Sequence, residues 1–106
     1  MELLDKIYIG ELVLTYGEML TKKQLSAVKS YYLLDIGLSE IAEVENISRQ
    51  GAYDLVNKSR AILLEFEEKL GVVKLKRELL NGLSEMEKSK VSAIKQKIKE
   101  LKLLLE

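Results

Sequence analysis

Six residues between Ala42 and Leu55 leave this chain few ways to fold. They sit in the stretch Leu38 to Lys58, LSEIAEVENISRQGAYDLVNK. Two helices that cross closely need a small side chain at the crossing, and Ala42 supplies it. Four residues later the chain must turn sharply, where a left-handed backbone is useful. Asn46 is among the few residues besides glycine that tolerate one. Ile47 then plugs the core, Ser48 caps the next helix, and Ala52 and Leu55 face inward. This spacing predicts a tight helix-turn-helix pair.

The remainder of the 106 residues favours the same class. There is no proline, glycine is sparse, and leucine, lysine and glutamate dominate, a set that prefers helix to strand. A first helix is predicted over Leu3 to Tyr16, with Leu3, Leu4, Ile7 and Leu14 in its buried stripe and Gly17 weakening its end. Thr21 and Gln24 form a capping box for a second helix. That helix turns Leu25, Val28, Tyr32 and Leu33 inward and stops near Gly37. Tyr31 and Tyr32 are neighbours, so only one can be fully inward; the expectation is Tyr32, with its hydroxyl at the surface. Ser39 is predicted to cap a short third helix holding Ile41 and Ala42. The helix after Ser48 would bury Ala52, Leu55, Ser59, Ile62, Leu63 and Phe66, and end at Gly71.

Beyond Gly71, Val72, Leu75 and Leu79 make an apolar stripe that Asn81-Gly82 should interrupt. Ser84 with Glu87 reads as a second capping box. Val91, Ile94, Ile98, Leu101 and Leu105 then recur at alternating steps of three and four, a heptad seam. Such a seam either packs back on its own domain or pairs with another helix. Being narrow and surrounded by lysines, it suits a helix partner, and a homodimer through residues 85–105 is expected. The fold expectation is therefore all-α: a helix-turn-helix domain over residues 1–71 and a C-terminal helical extension over residues 72–106.

Composition excludes several functions. No histidine and no cysteine are present, and there is no GxxxxGK[ST] loop and no clustered set of metal ligands. The expectation is no catalytic residue, no metal and no cofactor. The N-terminal MELLDKIYIGEL mixes acids with apolar residues and lacks the pattern of a signal peptide. No stretch is apolar for long enough to enter a bilayer, so a cytoplasmic protein is expected. Charge balances at 17 basic against 17 acidic groups, where dedicated nucleic-acid binders carry a basic excess. Its placement is uneven: residues 1–47 carry eight acids against four lysines, whereas residues 72–106 carry nine bases against five acids.

In a helix-turn-helix the first turns of the second helix can enter the major groove. The outward set here is Arg49, Gln50, Tyr53, Asp54, Asn57 and Lys58. Arginine can pair with guanine edges and Gln or Asn with adenine, while Lys58 and Arg60 could hold phosphates. Ser48 joins this candidate nucleic-acid-binding set at the helix start. An exposed helix face is ordinarily polar, however, and Ser48 is needed as a cap in any case. Glu40, Glu43 and Glu45 on the preceding helix would repel a duplex if they face it. On residues alone, DNA reading and an ordinary solvated face stand level.

The run ML-TKKQ, then YYLLDIGLSEIAEVENISRQGAYDLVNKS, then LLEFEEKLG resembles the YlxM family. These are small bacterial helix-turn-helix proteins similar to region 4 of sigma factors. The resemblance is close from about Met19 to Gly71, and most specific at Tyr31-Tyr32, Glu40–Glu43, Ser48-Arg49-Gln50 and Tyr53-Asp54. It implies a protein whose gene neighbours those of the signal recognition particle and that takes part in, or regulates, that pathway. The particle's RNA or protein thereby joins DNA as a candidate partner. The sequence departs from the family's pattern at Gly51, where alanine is typical, and at Val44-Glu45, where an aromatic is common.

Overall fold

A computed structural model describes residues 3–88 and 91–106. Its described residues form helices, turns and short connections, with no strand. The chain divides into two compact units, one ending at Gly71 and the other beginning at Val72.

The first unit contains α1 (Leu3–Tyr16), α2 (Lys22–Val28), α3 (Leu38–Glu45) and the 22-residue α4 (Arg49–Leu70). Helix α4 is the spine, touching each of the other three. Its inward side chains Ala52, Val56, Ser59 and Leu63 are all buried. Val56 was absent from the inward set expected from sequence, whereas Leu55, Ile62 and Phe66 are only partly covered. Ser59 is accommodated because its hydroxyl donates to the Leu55 carbonyl at 2.7 Å.

The predicted bounds of α1 agree with the structure, but its buried face does not. Leu3 and Leu14 are 72% and 74% exposed, and Leu4 and Ile7 are also open. The core takes Ile9, Leu12, Val13 and Tyr16 instead. Apolar residues lie on both sides of this helix, so periodicity could not select one. Long-range bonds show which side is held. The Tyr16 hydroxyl donates to Glu67 Oε1 at 2.6 Å, and its ring stacks on Phe66 with centroids 5.9 Å apart. Asp5 pairs with Arg60 at 2.7 Å. Gly17 does more than weaken the helix end: a Cβ there would come within 2.8 Å of Leu25 Cδ1, so it admits close packing.

The capping box at α2 is present in both directions, with Gln24 N donating to Thr21 Oγ1 and Thr21 N donating to Gln24 Oε1. The helix continues as a π-helical turn over Lys29–Leu33. It stops at Asp35, which has φ +55°, and not at Gly37. Lys6 holds Asp35 at 2.7 Å, and this hydrogen bond keeps the Asp35 carboxyl below its ordinary range. Gly37 instead occupies the start of α3 in an extended conformation. Ser39 lies inside that helix and does not cap it.

Tyr32 is inward as expected, yet its hydroxyl is not at the surface. The side chain is 7% exposed, and its oxygen is buried without a hydrogen-bond partner. Burial pushes the phenol up from 10.0 to about 12, against a smaller opposing pull from Arg60. The folded state therefore favours the neutral phenol. That contribution is fully present below pH 10 and is lost as pH rises toward 12. Tyr32→Phe keeps the ring and removes the orphan oxygen. It is expected to stabilise the protein by about 1 kcal/mol near neutrality. Urea titrations of both proteins should also show the wild type losing about 2 kcal/mol relative to the variant between pH 10 and 12. Parallel pH profiles would show that Tyr32 is hydrated.

The second unit consists of α5 (Val72–Met86) and α6 (Ser92–Leu105), which pack on each other. Helix α5 starts directly after Gly71, whose φ of +63° ends α4 in the left-handed conformation that glycine adopts without strain. It runs unbroken through Asn81 and Gly82, correcting the expected interruption. Ser84 and Glu87 form no capping box; Ser84 lies within α5, and both side chains accept from Lys102 Nζ, at 3.2 and 2.7 Å. The expected seam is partly used inside the unit. Ile98 is 2% exposed and Leu105 is half-buried, while Val91, Ile94 and Leu101 stay open. Residues 89 and 90, within the segment assigned to dimerisation, lie outside the described residues.

Candidate nucleic-acid interface

The helix-turn-helix is built from α3 and α4 by local bonds. Asn46 adopts φ 55° and ψ 48°, the left-handed turn expected of it. The turn closes where Ile47 N donates to the Ala42 carbonyl at 3.0 Å. Ala42 and Ala52 are both buried where the helices pack. Ile47 is half-covered, and Ile41 is the more deeply buried residue of this corner. The Ser48 hydroxyl accepts from Gly51 N at 2.9 Å and caps α4. A Cβ at Gly51 would stand 3.1 Å from the Ser48 oxygen, a tight contact that a shift of a few tenths of an ångström in the hydroxyl would relieve.

With these bonds in place, α4 presents Arg49, Gln50, Tyr53, Asn57 and Lys58 to solvent over its first turns. Arg49, Asn57 and Lys58 have no hydrogen bond or ion pair among the described residues, so their donors are open to a ligand. Gln50 donates to Asp54 Oδ1 at 3.0 Å, which orients its amide and screens the carboxylate. Tyr53 is 49% exposed and offers an aromatic edge beside these donors. Ser48 caps the helix through its oxygen, and its exposed hydroxyl proton remains a donor beside this face.

Arg60 is not grouped with this face. Its guanidinium donates to Asp5 at 2.7 Å, both side chains are about one-third exposed, and it ties α4 to α1. Nothing in the sequence near residue 60 could have revealed a partner 55 positions away. Glu40 and Glu43 are exposed on α3, and Glu45 is half-covered. Residues 38–58 thus hold four acids against two bases. The positive end of the face is narrow, confined to Arg49 and Lys58.

No group of potential metal ligands is found among the described residues, and none of their helices is long and apolar enough to cross a membrane. Comparison with known proteins finds a family model, that of YlxM / p13-like helix-turn-helix proteins (UPF0122), matching residues 3–104. A UPF0122 protein of Thermoanaerobacter sp. (strain X514) is 43% identical over 84 residues, covering 79% of this chain and 72% of the relative. One from Acetivibrio thermocellus is 49% identical over 71 residues, or 66% of this chain and 61% of its own length. One from Symbiobacterium thermophilum is 38% identical over 74 residues, or 70% and 69%. With nearly its whole length matched, and with the turn and cap that the motif requires, this chain belongs to the YlxM / p13-like helix-turn-helix family.

Proposed function

We propose that this protein is a nucleic-acid-binding regulator, not a catalyst, which contacts its target through Arg49, Gln50, Tyr53, Asn57 and Lys58. The observation that carries this reading is the solvent-facing set of unpaired donors on the first turns of a capped second helix. In this geometry the helix N-terminus adds its own favourable field for phosphate. Arg49 and Asn57 supply base-edge donors, and Lys58 supplies a phosphate contact. The protein works as a homodimer, which gives two such helices per assembly.

The signal-recognition-particle pathway is the proposed setting, and the support for it is the family resemblance of residues 19–71. The particle's RNA is accordingly the first target to test. Fluorescence anisotropy would compare that RNA with random duplex DNA of equal length at about 50 and 200 mM salt. Selective binding that weakens with salt is expected. A protein–protein adaptor is the second reading, favoured by the exposed Glu40 and Glu43 beside the face. Equal weak binding to both nucleic acids, or none, would overturn the first reading in favour of this second one.

A further inference from the structure

Helix α5 carries more apolar surface than its contact with α6 covers. Its more covered positions include Leu80 and Leu83, and just past its end Glu87 receives Lys102 of α6. On a different edge Leu75, Leu79 and Met86 are 57%, 45% and 54% exposed, and Gly82 completes their heptad spacing. A Cβ on Gly82 would meet nothing within 4 Å. Glycine weakens a helix interior relative to alanine, and it suits a place where another backbone comes close. On α6, Ile94 and Leu101 remain open beside the covered Ile98.

The second unit has about 35 residues, and among those described only Val73 and Ile98 are buried. Units this small need a staple: a disulfide, a metal or another chain. The sequence has no cysteine, and the described residues hold no cluster of metal ligands. Charge selects among helix pairings. Glu78 and Glu85 flank one side of the open edge of α5 and Lys76 the other, whereas Lys95 and Lys97 flank that of α6. Glu85 and Lys97 also pair within the unit, with Lys88 at 3.1 Å and Glu100 at 3.8 Å. Antiparallel pairing of α5 with another α5 would set the Glu78 and Glu85 sides together. Pairing it with α6 sets acid beside lysine.

We propose that the open edge of α5 takes α6 of a second copy, reciprocally about a two-fold axis, to close a four-helix unit. This refines the homodimer of the preceding reading by moving the contact from an α6 seam to a surface shared by both helices. It does not depend on nucleic-acid binding. The open side chains offer on the order of 500 Å² per copy, the upper range for a monomer's largest apolar patch. Two copies together bury roughly 1,000 Å², the lower limit for a specific interface.

Sedimentation equilibrium of the full chain without nucleic acid, over about 5–200 µM, tests the pairing independently of the binding reading. The expected mass is twice 12.1 kDa. Leu79→Glu alters a side chain already open in the single chain, and should weaken self-association about 100-fold, with helical circular dichroism falling by no more than the share of α5 and α6. Glu78→Lys with Glu85→Lys should also weaken it, and adding Lys95→Glu with Lys97→Glu should restore it. A mass of 12.1 kDa throughout would overturn the proposal. So would a dimer indifferent to Leu79→Glu, or a charge exchange that restores nothing.

Discussion

Arg49→Ala combined with Lys58→Ala is expected to weaken nucleic-acid binding by about 100-fold at low salt, two lost contacts of roughly 1–2 kcal/mol each. Both side chains are exposed and unpaired among the described residues, so their removal leaves the fold intact. The dependence of log K on log salt should flatten by about one to two units, since fewer counterions are released on binding. Thermal melting should be unchanged within about 0.5 kcal/mol, the usual range for surface substitutions. Unaltered affinity in the double variant would sink the proposed interface. Arg60→Ala is a useful contrast. Its loss strands Asp5, so it should lower stability more than it lowers affinity.

Leu63→Ala is expected to destabilise the first unit by about 3 kcal/mol, a large share of the roughly 5–15 kcal/mol that holds a small domain together. Leu63 is completely buried on α4, the helix that touches α1, α2 and α3. Truncation removes the burial of the side chain and leaves a cavity that surrounding helices fill only in part. Urea unfolding followed at 222 nm would measure it as a lower midpoint with an unchanged slope. A loss below about 1 kcal/mol would mean that the helices collapse into the space, and that the core is less constrained than its burial indicates. The same variant links fold to site. Asn46 and Ser48 orient the start of α4, but the packing of Leu63 and Ser59 fixes where the rest of that helix lies. Nucleic-acid binding should therefore fall in step with the folded fraction.

The features legible in the sequence are those made by neighbours along the chain. Thr21 caps α2 with a partner three residues away, and Ser48 caps α4 over the same distance. Asn46 makes the turn through its own backbone preference, and Gly71 ends α4 in the same way. The exposed set on α4 follows from these, because a known helix start and an inward Ala52 fix which residues face out. A local bond pays its entropy cost over a few residues, so a short pattern can specify it; Ser84 and Glu87 have the same spacing but are engaged by Lys102 instead.

Only the tertiary structure decided what depended on distant partners. Residues 3–16 read LLDKIYIGELVLTY, apolar on more than one side, and either side could have been core. Close approach at Gly17, Tyr16 with Glu67, and Asp5 with Arg60 mark the side that packs, leaving Leu3 and Leu14 outside. Arg60 left the candidate interface for the same reason, its partner lying 55 residues away. The seam on α6 could be read as a repeat, but not as divided between an internal contact at Ile98 and an open edge. Periodicity states that a face is apolar. What covers that face is set by the relative geometry of helices far apart in the chain, where packing and desolvation act on atoms that no short sequence pattern brings together.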